Sequence, residues 1–187
     1  HRYDPVTPLE ETLQTLVDIV RQGKALYVGI SKYPKEAAEF AYKYLAERDV
    51  HCLLYQGKYN LFNREPEEEG ILRQAKENGT GFIAFSPLAQ GLLTNRYLNG
   101  IPEDSRMARG GFLKKEQLTE EVLSKIKVLN KMAEERGQTL AEMALAWVLK
   151  DDLVTSVIIG ASSVAQLEDN LKAIRNTSFT KEELRRL

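Results

Sequence analysis

One segment, residues 157–170, reads Val-Ile-Ile-Gly-Ala-Ser-Ser-Val-Ala-Gln-Leu-Glu-Asp-Asn: a β-branched run, a turn of small residues and a helix-like stretch in direct succession. Ser162, Gln166 and Asn170 recur every four residues, so in a helix they form one polar stripe near its start. A helix N-terminus presents unpaired N–H groups and a positive dipole, which suits a phosphate. Gly160 would let a ligand approach the backbone, and side-chain amides can hydrogen-bond a base or ribose. An ordinary capped helix with a solvated face is the alternative for this segment taken alone.

The same succession of strand and helix recurs along the 187 residues. Short apolar runs predict four strands buried on both faces, at 25–30, 52–55, 82–85 and 156–159. Helical patterns lie between them, at 8–22, 34–47, 67–78, 119–136 and 139–149. Strands that alternate with helices imply right-handed βαβ crossovers and a parallel sheet. No linker or low-complexity tract appears, so residues 1–187 are predicted to form part of a single domain.

Composition excludes several classes of partner. The net charge is −1 with both signs interspersed, which offers no field for nucleic acid or an anionic membrane. No apolar run is long enough to span a bilayer. The single cysteine, Cys52, lies in an apolar run. It is therefore expected to be a buried thiol in a reducing compartment, and a cytoplasmic location is predicted.

Two architectures fit the pattern, an open doubly wound sheet and part of a (β/α)8 barrel. Four βα units are half of a barrel, whose complete form needs roughly 250 residues. The G-x-G-x-x-G fingerprint is absent, which disfavours the classical dinucleotide-binding fold. Residues capable of chemistry follow every predicted strand, at the edge where both architectures bind ligands: Ser31, Tyr33, Gln56, Tyr59, Ser86, Gly160 and Ser162. Tyr59 is equally compatible with a core aromatic and with a pocket wall.

Four motifs, in order, resemble the aldo-keto reductase family over essentially the whole chain. They are Gly-Lys-Ala-Leu-Tyr-Val-Gly-Ile-Ser at 23–31, Gln56 with Tyr59-Asn60, Phe-Ser-Pro-Leu-Ala-Gln-Gly-Leu-Leu at 85–93, and Gly-Ala-Ser at 160–162. The resemblance is greatest to the branch of bacterial L-glyceraldehyde 3-phosphate reductases and β subunits of voltage-gated potassium channels. It implies an α/β fold, the second half of a (β/α)8 TIM barrel with four parallel strands alternating with helices. The family's N-terminal half has no counterpart in this chain.

The resemblance further implies an NADP(H) site to which this chain contributes most residues. Ser31 and Gln56 match the pair that hydrogen-bonds the nicotinamide carboxamide, because a hydroxyl and an amide can meet both its C=O and its NH2. Arg96 and Arg106 are expected to pair with cofactor phosphates. The remaining implied cofactor contacts are Ser86, Pro87, Leu88, Ala89, Gly91, Gly160, Ser162, Gln166, Asp169 and Asn170. Many members carry an arginine for the 2′-phosphate of NADP where this chain has Gln166, which weakens the preference for NADP over NAD.

His1, followed by Arg2-Tyr3-Asp4-Pro5, resembles the family's catalytic histidine, which orients and polarises the substrate carbonyl beside a tyrosine acid. The chemistry needs a donor aimed at the oxygen on which negative charge grows during hydride transfer. A terminal histidine without a role is the alternative from sequence alone. The family's tyrosine, lysine and aspartate lie upstream, and neither Tyr3 nor Lys24 is expected to replace them. No metal ligands are predicted.

The function that the resemblance implies is NADP(H)-dependent reduction of a small aldehyde or ketone, of the glyceraldehyde 3-phosphate or methylglyoxal type, by a full-length homo-oligomeric protein. The alternative is a non-catalytic redox sensor or scaffold like a potassium-channel β subunit. His1 favours the enzyme, because those subunits carry asparagine at the matching position. The 187 residues alone are expected to be inactive, since inward strand side chains would lack packing partners; the candidates are Val28, Ile30, Leu54, Ile83 and Ile158.

Overall fold

The structure of the chain is a computed structural model that describes residues 1–98, 100–103, 108, 110 and 114–187. Two compact units make up the chain. Unit 1 comprises His1–Tyr59, Asn63–Phe85 and Asp151–Val157. Unit 2 comprises Asn60–Phe62, Ser86–Lys150 and Ile158–Leu187.

Four strands form one sheet in the order β1-β2-β3-β4, with parallel register from β1 to β3. Their bounds are β1 Val28–Ser31, β2 Cys52–Lys58, β3 Gly81–Phe85 and β4 Ser156–Ile158. An isolated parallel bridge also sets Arg2 beside Ser31 of β1. Because successive strands are neighbours and helices connect them, the arrangement is that of a partial (β/α)8 barrel, as the sequence predicts.

Helices connect the strands in both units. Unit 1 contains α1 Leu9–Arg21, α2 Lys35–Ala46, α3 Glu65–Glu68 and α4 Ile71–Glu77. Unit 2 contains α5 Glu120–Glu135, α6 Leu140–Val148, α7 Val164–Leu171 and α8 Lys181–Arg186. Short 3-10 turns lie at Ala89–Gly91, Asn95–Tyr97, Lys115–Gln117 and Lys172–Arg175.

Several element boundaries in unit 1 differ from the sequence prediction. The helix predicted at 67–78 is divided into α3 and α4, because Gly70 adopts a left-handed φ of 78° that no helix interior accepts. The strand predicted at 25–30 begins only at Val28, and Leu26 and Tyr27 before it are exposed. The apolar pattern therefore predicted too early a start for this strand, at residues whose side chains are not covered by another element.

The sheet is covered on one face. Helix α2 packs on β2 and α4 packs on β3, and the covered face includes Val28 and Ile30, which are only 5% and 3% exposed. The prediction that these two lack packing partners is therefore wrong. The register pairs Leu54 with Gly29 and not with Ile30, which places Leu54 and Ile83 on the opposite face of the sheet. That face is partly exposed. This second face is called the open face below.

In unit 2, Arg136 joins the end of α5 to the segment that leads into α8. Its guanidinium donates to a carboxylate oxygen of Glu183 at 2.5 Å and to the carbonyl of Ser178 at 2.9 Å, and it lies 3.8 Å from the ring centre of Phe179. The backbone N–H of Thr180 also donates to Glu183, at 2.6 Å. This hydrogen bond, outweighing burial and assisted by Arg136, lowers the pKa of the Glu183 carboxyl.

Replacing Arg136 with methionine is expected to lower the free energy of unfolding of a folded protein that contains this chain by about 2–3 kcal/mol, because a buried ion pair loses one partner. Urea denaturation measures the loss. The exposed Arg73 of α4 is the matched control, and Arg73→Met should change the free energy by less than about 0.5 kcal/mol.

The same variant has a defined pH dependence. A lowered folded-state pKa of Glu183 stabilises the protein above the ordinary glutamate value of about 4.3, and this contribution is lost as the pH falls through the folded value. The stability difference between wild type and Arg136→Met should therefore shrink on acidification below about pH 4. An equal difference at pH 7 and pH 3 would contradict the assigned ion pair.

Candidate functional site

In unit 1, the carboxyl ends of β1 and β2 hold two of the predicted cofactor residues. Ser31 and Gln56 are register partners, and the Ser31 hydroxyl donates to the Gln56 carbonyl at 3.0 Å. The Gln56 side chain is exposed and makes no hydrogen bond with a described residue. The Ser31 oxygen can therefore still accept a hydrogen bond while the Gln56 amide can donate and accept. The structure thus brings together the two residues that the sequence predicts for a carboxamide.

His1 lies at the same edge of the sheet. The bridge between Arg2 and Ser31 sets the start of the chain beside the carboxyl end of β1, and the His1 side chain is exposed there. Tyr3 instead packs edge-on against Tyr33, with 5.5 Å between ring centres. Lys24 precedes β1 and so lies toward the opposite edge of the sheet. Arg2, and not His1, is the register partner of Ser31, so a contact of His1 with a ligand held by Ser31 stays a prediction.

The buried tyrosines of unit 1 belong to the core. The Tyr55 hydroxyl donates to the Tyr33 carbonyl at 2.6 Å, and the Tyr59 hydroxyl donates to a carboxylate oxygen of Glu67 at 3.2 Å. Burial raises the pKa of all three phenols. Tyr59 is fully buried, so it is a core aromatic and not a pocket wall. Burial also raises the pKa of the Cys52 thiol to about 11, which makes it a poor nucleophile.

The turn that follows β3 belongs to unit 2, and several of its residues have positive, left-handed φ angles. Residues Ser86, Ala89, Gln90 and Gly91 have φ values of 53°, 46°, 60° and 102°. Ala89 N–H donates to the Ser86 carbonyl at 2.9 Å, and Gly91 N–H donates to the Leu88 carbonyl at 2.8 Å. Small residues suit such a backbone. The backbone N–H groups of Ala89 and Gly91 are hydrogen-bonded within the turn. A cofactor that binds at this turn would therefore contact its other groups.

Asn60 supports this turn, and the sequence analysis gave it no role. It is fully buried, its side-chain amide donates to the Ser86 carbonyl at 2.9 Å, and its side-chain oxygen accepts from Phe62 N–H at 2.9 Å. Pro87 is buried in the same turn. No local sequence pattern indicates this contact. Asn60 is therefore a positioning residue for the predicted cofactor turn.

Phe85 is a second residue to which the sequence pattern alone assigns no function. It ends β3 directly before Ser86, and its register partner is Lys58 of β2. Its side chain is partly exposed. An aromatic at the carboxyl end of a strand, on the open face, provides a flat surface for a planar ring.

In unit 2, the segment before α7 contains several of the predicted cofactor residues. Ser163, and not Ser162, caps the helix by accepting from Gln166 N–H at 3.2 Å. Ser162 lies ahead of the helix, and its N–H and hydroxyl donate to the Gln166 side-chain oxygen at 2.7 and 3.0 Å. The predicted polar stripe of Ser162, Gln166 and Asn170 therefore starts before the helix, two residues after the exposed Gly160. Asp169 accepts from Lys172 at 2.6 Å, which places an ammonium group beside that carboxylate.

Asn170 is the most informative residue of this helix. Only 5% of it is exposed, and its side-chain NH2 has no hydrogen-bond acceptor among the described residues. A buried polar group without a partner costs about 1–3 kcal/mol, and such groups are rare. An acceptor on a bound ligand would remove this cost. The orphaned amide lies one turn beyond Gln166, and its contact with a nucleotide stays a prediction.

Of the two arginines predicted to bind phosphate, one lies among the described residues. Arg96 lies in the 3-10 turn Asn95–Tyr97 with an exposed side chain, and its N–H donates to the Thr94 hydroxyl at 3.2 Å. Arg106 lies outside the described residues. Within the described ranges, no three histidine, cysteine, aspartate or glutamate side chains are grouped so that they could hold a metal ion. Across the same ranges, no helix has the length and apolarity to cross a membrane.

The comparisons with known proteins agree with this geometry. The model of the aldo/keto reductase family matches residues 1–187, and the chain belongs to this family. It is 51% identical over 188 residues to the L-glyceraldehyde 3-phosphate reductase of Escherichia coli K12, covering 98% of this chain and 54% of that protein. It is 36% identical over 178 residues to a probable voltage-gated potassium channel subunit beta of Arabidopsis thaliana, covering 93% of this chain and 54% of that protein.

A solved structure gives the same fold. A thermostable aldo-keto reductase, crystallised with the inhibitor epalrestat, superposes with a TM-score of 0.71 at 28% identity, covering 99% of this chain and 56% of that one. This confirms the predicted partial (β/α)8 barrel of aldo-keto reductase type. The chain spans about half the length of the relatives it matches.

Proposed function

We propose that this chain supplies most of the cofactor site of an NADP(H)-dependent reductase of small aldehydes, of the glyceraldehyde 3-phosphate or methylglyoxal type. The carrying observation is the placement of Ser31, Gln56 and His1 at one edge of the sheet. The similarity to an L-glyceraldehyde 3-phosphate reductase supports the reaction class. The activity belongs to the complete barrel protein, by which we mean this chain joined to the remaining strands of the barrel.

Each residue has a defined task in this proposal. Ser31 and Gln56 orient the nicotinamide through its carboxamide, and His1 donates a hydrogen bond to the carbonyl oxygen of the aldehyde as negative charge develops. When bound, NADPH would supply the hydride for the carbonyl carbon, and the proton for its oxygen would come from the part of the barrel outside this chain. Gln166 and Asn170 bind the adenosine end. Phosphate recognition is assigned to the turn after β3, to the residues before α7, and to Arg96 and Arg106.

A non-catalytic cofactor-binding scaffold is the second candidate, because the chain is also 36% identical to a potassium channel subunit beta. The cofactor residues serve both candidates equally. A histidine at position 1 favours the enzyme, since only turnover needs a donor at the substrate oxygen. A reducing, cytoplasmic compartment and a homo-oligomer are part of the first proposal; the single buried thiol of Cys52 is compatible with the compartment.

The test of the cofactor site uses two variants of α7 in the complete barrel protein. Gln166→Ala and Asn170→Leu should each raise the dissociation constant of NADPH by about tenfold, or roughly 1.4 kcal/mol, because each removes a hydrogen bond to the nucleotide. Fluorescence titration measures this constant. The same titration with NADH compares the two nucleotides.

Asn170→Leu also separates binding from folding. Because the Asn170 NH2 has no partner in the described chain, replacement by an apolar side chain of similar size should leave the stability of the cofactor-free protein unchanged or raised. Glu168→Gln, on the exposed side of the same helix, is the control for both measurements. Unchanged NADPH affinity in both test variants would remove the cofactor site from α7.

A further inference from the structure

The turn after β3, residues 86–91, is held at both ends by side chains that lie outside it. At its start, the Ser86 carbonyl accepts a hydrogen bond from the side-chain NH2 of Asn60 at 2.9 Å. At its end, the Gly91 carbonyl accepts a hydrogen bond from the Thr94 hydroxyl at 2.7 Å. All of these residues belong to unit 2, so both ends of the turn are fixed by contacts within one compact unit.

Asn60 can act on the turn because its own side chain is fixed. It is fully buried, and its side-chain oxygen accepts from the Phe62 N–H at 2.9 Å. That contact leaves the NH2 as the group that faces Ser86. A rotated side chain would leave polar groups buried without partners, so the amide has one favourable orientation.

The turn needs such support because its backbone is unfavourable for the residues that form it. Ser86, Ala89 and Gln90 have φ values of 53°, 46° and 60°, although none of them is glycine. A left-handed backbone crowds the Cβ atom against a carbonyl oxygen. Conformations of this kind persist where the surrounding structure determines them. Asn60 and Thr94 supply two of the contacts that do so.

The same backbone leaves two N–H groups available to a ligand. The N–H groups of Leu88 and Gln90 make no hydrogen bond with a described residue, unlike those of Ala89 and Gly91. Leu88, with φ −96° and ψ 18°, is followed by the left-handed Ala89. Successive N–H groups in such a turn form a concave site for an anion. These two N–H groups are therefore donors that the turn can offer to a cofactor phosphate.

We propose that Asn60 and Thr94 are positioning residues that hold the turn after β3 in its phosphate-binding shape before the cofactor binds. Both act through the backbone of the turn, and neither needs to touch the cofactor. This inference rests on the proposed function and makes part of the cofactor affinity depend on two side chains outside the predicted contacts. Without either side chain, binding of the cofactor must order the turn, which weakens the complex.

The first test compares two ligands in the complete barrel protein. Asn60→Asp keeps the acceptor for Phe62 N–H and loses the donor to the Ser86 carbonyl, so the dissociation constant of NADPH should rise about tenfold. Thr94→Val should raise it about threefold or more. Adenosine 2′-phosphate, which lacks the pyrophosphate, should bind both variants within about twofold of wild type. With saturating NADPH, kcat should stay within about threefold of wild type, because neither residue contacts the reacting atoms.

Gln74→Glu is the matched control for Asn60→Asp. Gln74 is also a buried amide, and its NH2 donates to the Lys35 carbonyl at 3.1 Å, within unit 1. The control therefore removes the same kind of hydrogen bond at a place remote in the chain from the turn. Both dissociation constants should stay within about twofold of wild type.

Amide hydrogen exchange in the cofactor-free protein tests the turn without a ligand. The N–H groups of Ala89 and Gly91 should exchange about tenfold faster in Asn60→Asp and in Thr94→Val than in wild type, and at the wild-type rate in Gln74→Glu. Unchanged exchange in the two test variants would overturn the inference. An equal loss of affinity for NADPH and adenosine 2′-phosphate would overturn it as well.

Two further outcomes are distinguishable. If Asn60→Asp does not fold, Thr94→Val decides by the same criteria, since its hydroxyl is replaced by a methyl group of similar size. If wild type does not bind NADPH, the proposed function fails, whereas the exchange rates of Ala89 and Gly91 still decide whether the two side chains hold the turn.

Discussion

Replacing His1 with alanine in the complete barrel protein lowers kcat/KM for an aldehyde by about 100-fold or more, while NADPH binds with nearly unchanged affinity. This is the expected result because a donor to the developing oxyanion contributes about 2.7–4 kcal/mol to the transition state and little to cofactor binding. His1 is exposed and directly precedes Arg2, which bridges to Ser31, so we expect it to reach a ligand held there. Steady-state rates and NADPH fluorescence titration measure the two effects separately.

The chain provides a matched control for this experiment, because its other histidine is His51. His51 precedes β2, at the opposite edge of the sheet, and its ring nitrogen lies 3.3 Å from the Gly79 carbonyl. His51→Ala should leave kcat/KM within about threefold of wild type, as expected for a residue without a role in the transition state. If His1→Ala also stays within threefold, His1 has no part in catalysis and the scaffold candidate becomes the better one.

The order of the elements could be predicted from sequence because buried parallel strands and amphipathic helices have different periods. The face that each strand covers could not be predicted. Val28 and Ile30 are as apolar as Leu54 and Ile83, yet the first pair lies on the covered face and the second on the open face. Only the register between strands distinguishes them. Similarly, β2 continues to Lys58 although its last three residues carry no apolar pattern.

The candidate site was predictable where chemistry-bearing residues end strands, as with Ser31 and Gln56. It was less predictable where one side chain acts through another. Asn60 supports the turn at Ser86 over a separation of 26 residues, which no local pattern reveals. Over residues 162–170, spacing alone suggested equal roles for Ser162 and Asn170, whereas Ser162 lies ahead of α7 and burial leaves the Asn170 amide without a partner. The positions of residues were therefore best predicted where strand pairing sets their neighbours, whereas the chemistry assigned to them stays a prediction.

The largest expected effect concerns the 187 residues expressed alone, which should show no NADPH-dependent turnover and should self-associate or remain partly molten. One cause lies in unit 2, where α7 and the following turn expose four apolar side chains, here called the seam: Val164, Leu167, Leu171 and Ile174. Successive members of the seam are three, four and three residues apart. Val164 and Ile174 are 74% and 67% exposed. Such spacing is that of a helix face that packs on another helix.

A second cause lies in the sheet, where Leu54 and Ile83 are partly exposed on the open face and β4 is the outermost strand among the described residues. Burying one side chain of this size contributes about 1.5–3 kcal/mol, whereas a whole domain is stable by only about 5–15 kcal/mol. Several missing contacts of this kind are enough to remove that margin. The corrected positions of Val28 and Ile30 reduce the expected loss but leave these contacts unmade.

Analytical ultracentrifugation, calorimetry and a turnover assay of the isolated chain test this expectation together. Leu171→Glu should reduce self-association if the seam on α7 takes part in it, because a carboxylate would be buried in the contact. Glu168→Gln, on the same helix but off the seam, should not. A compact monomer with a cooperative thermal transition and measurable aldehyde reduction would defeat the prediction. It would mean that four βα units suffice for catalysis, and that the proton donor comes from within these 187 residues.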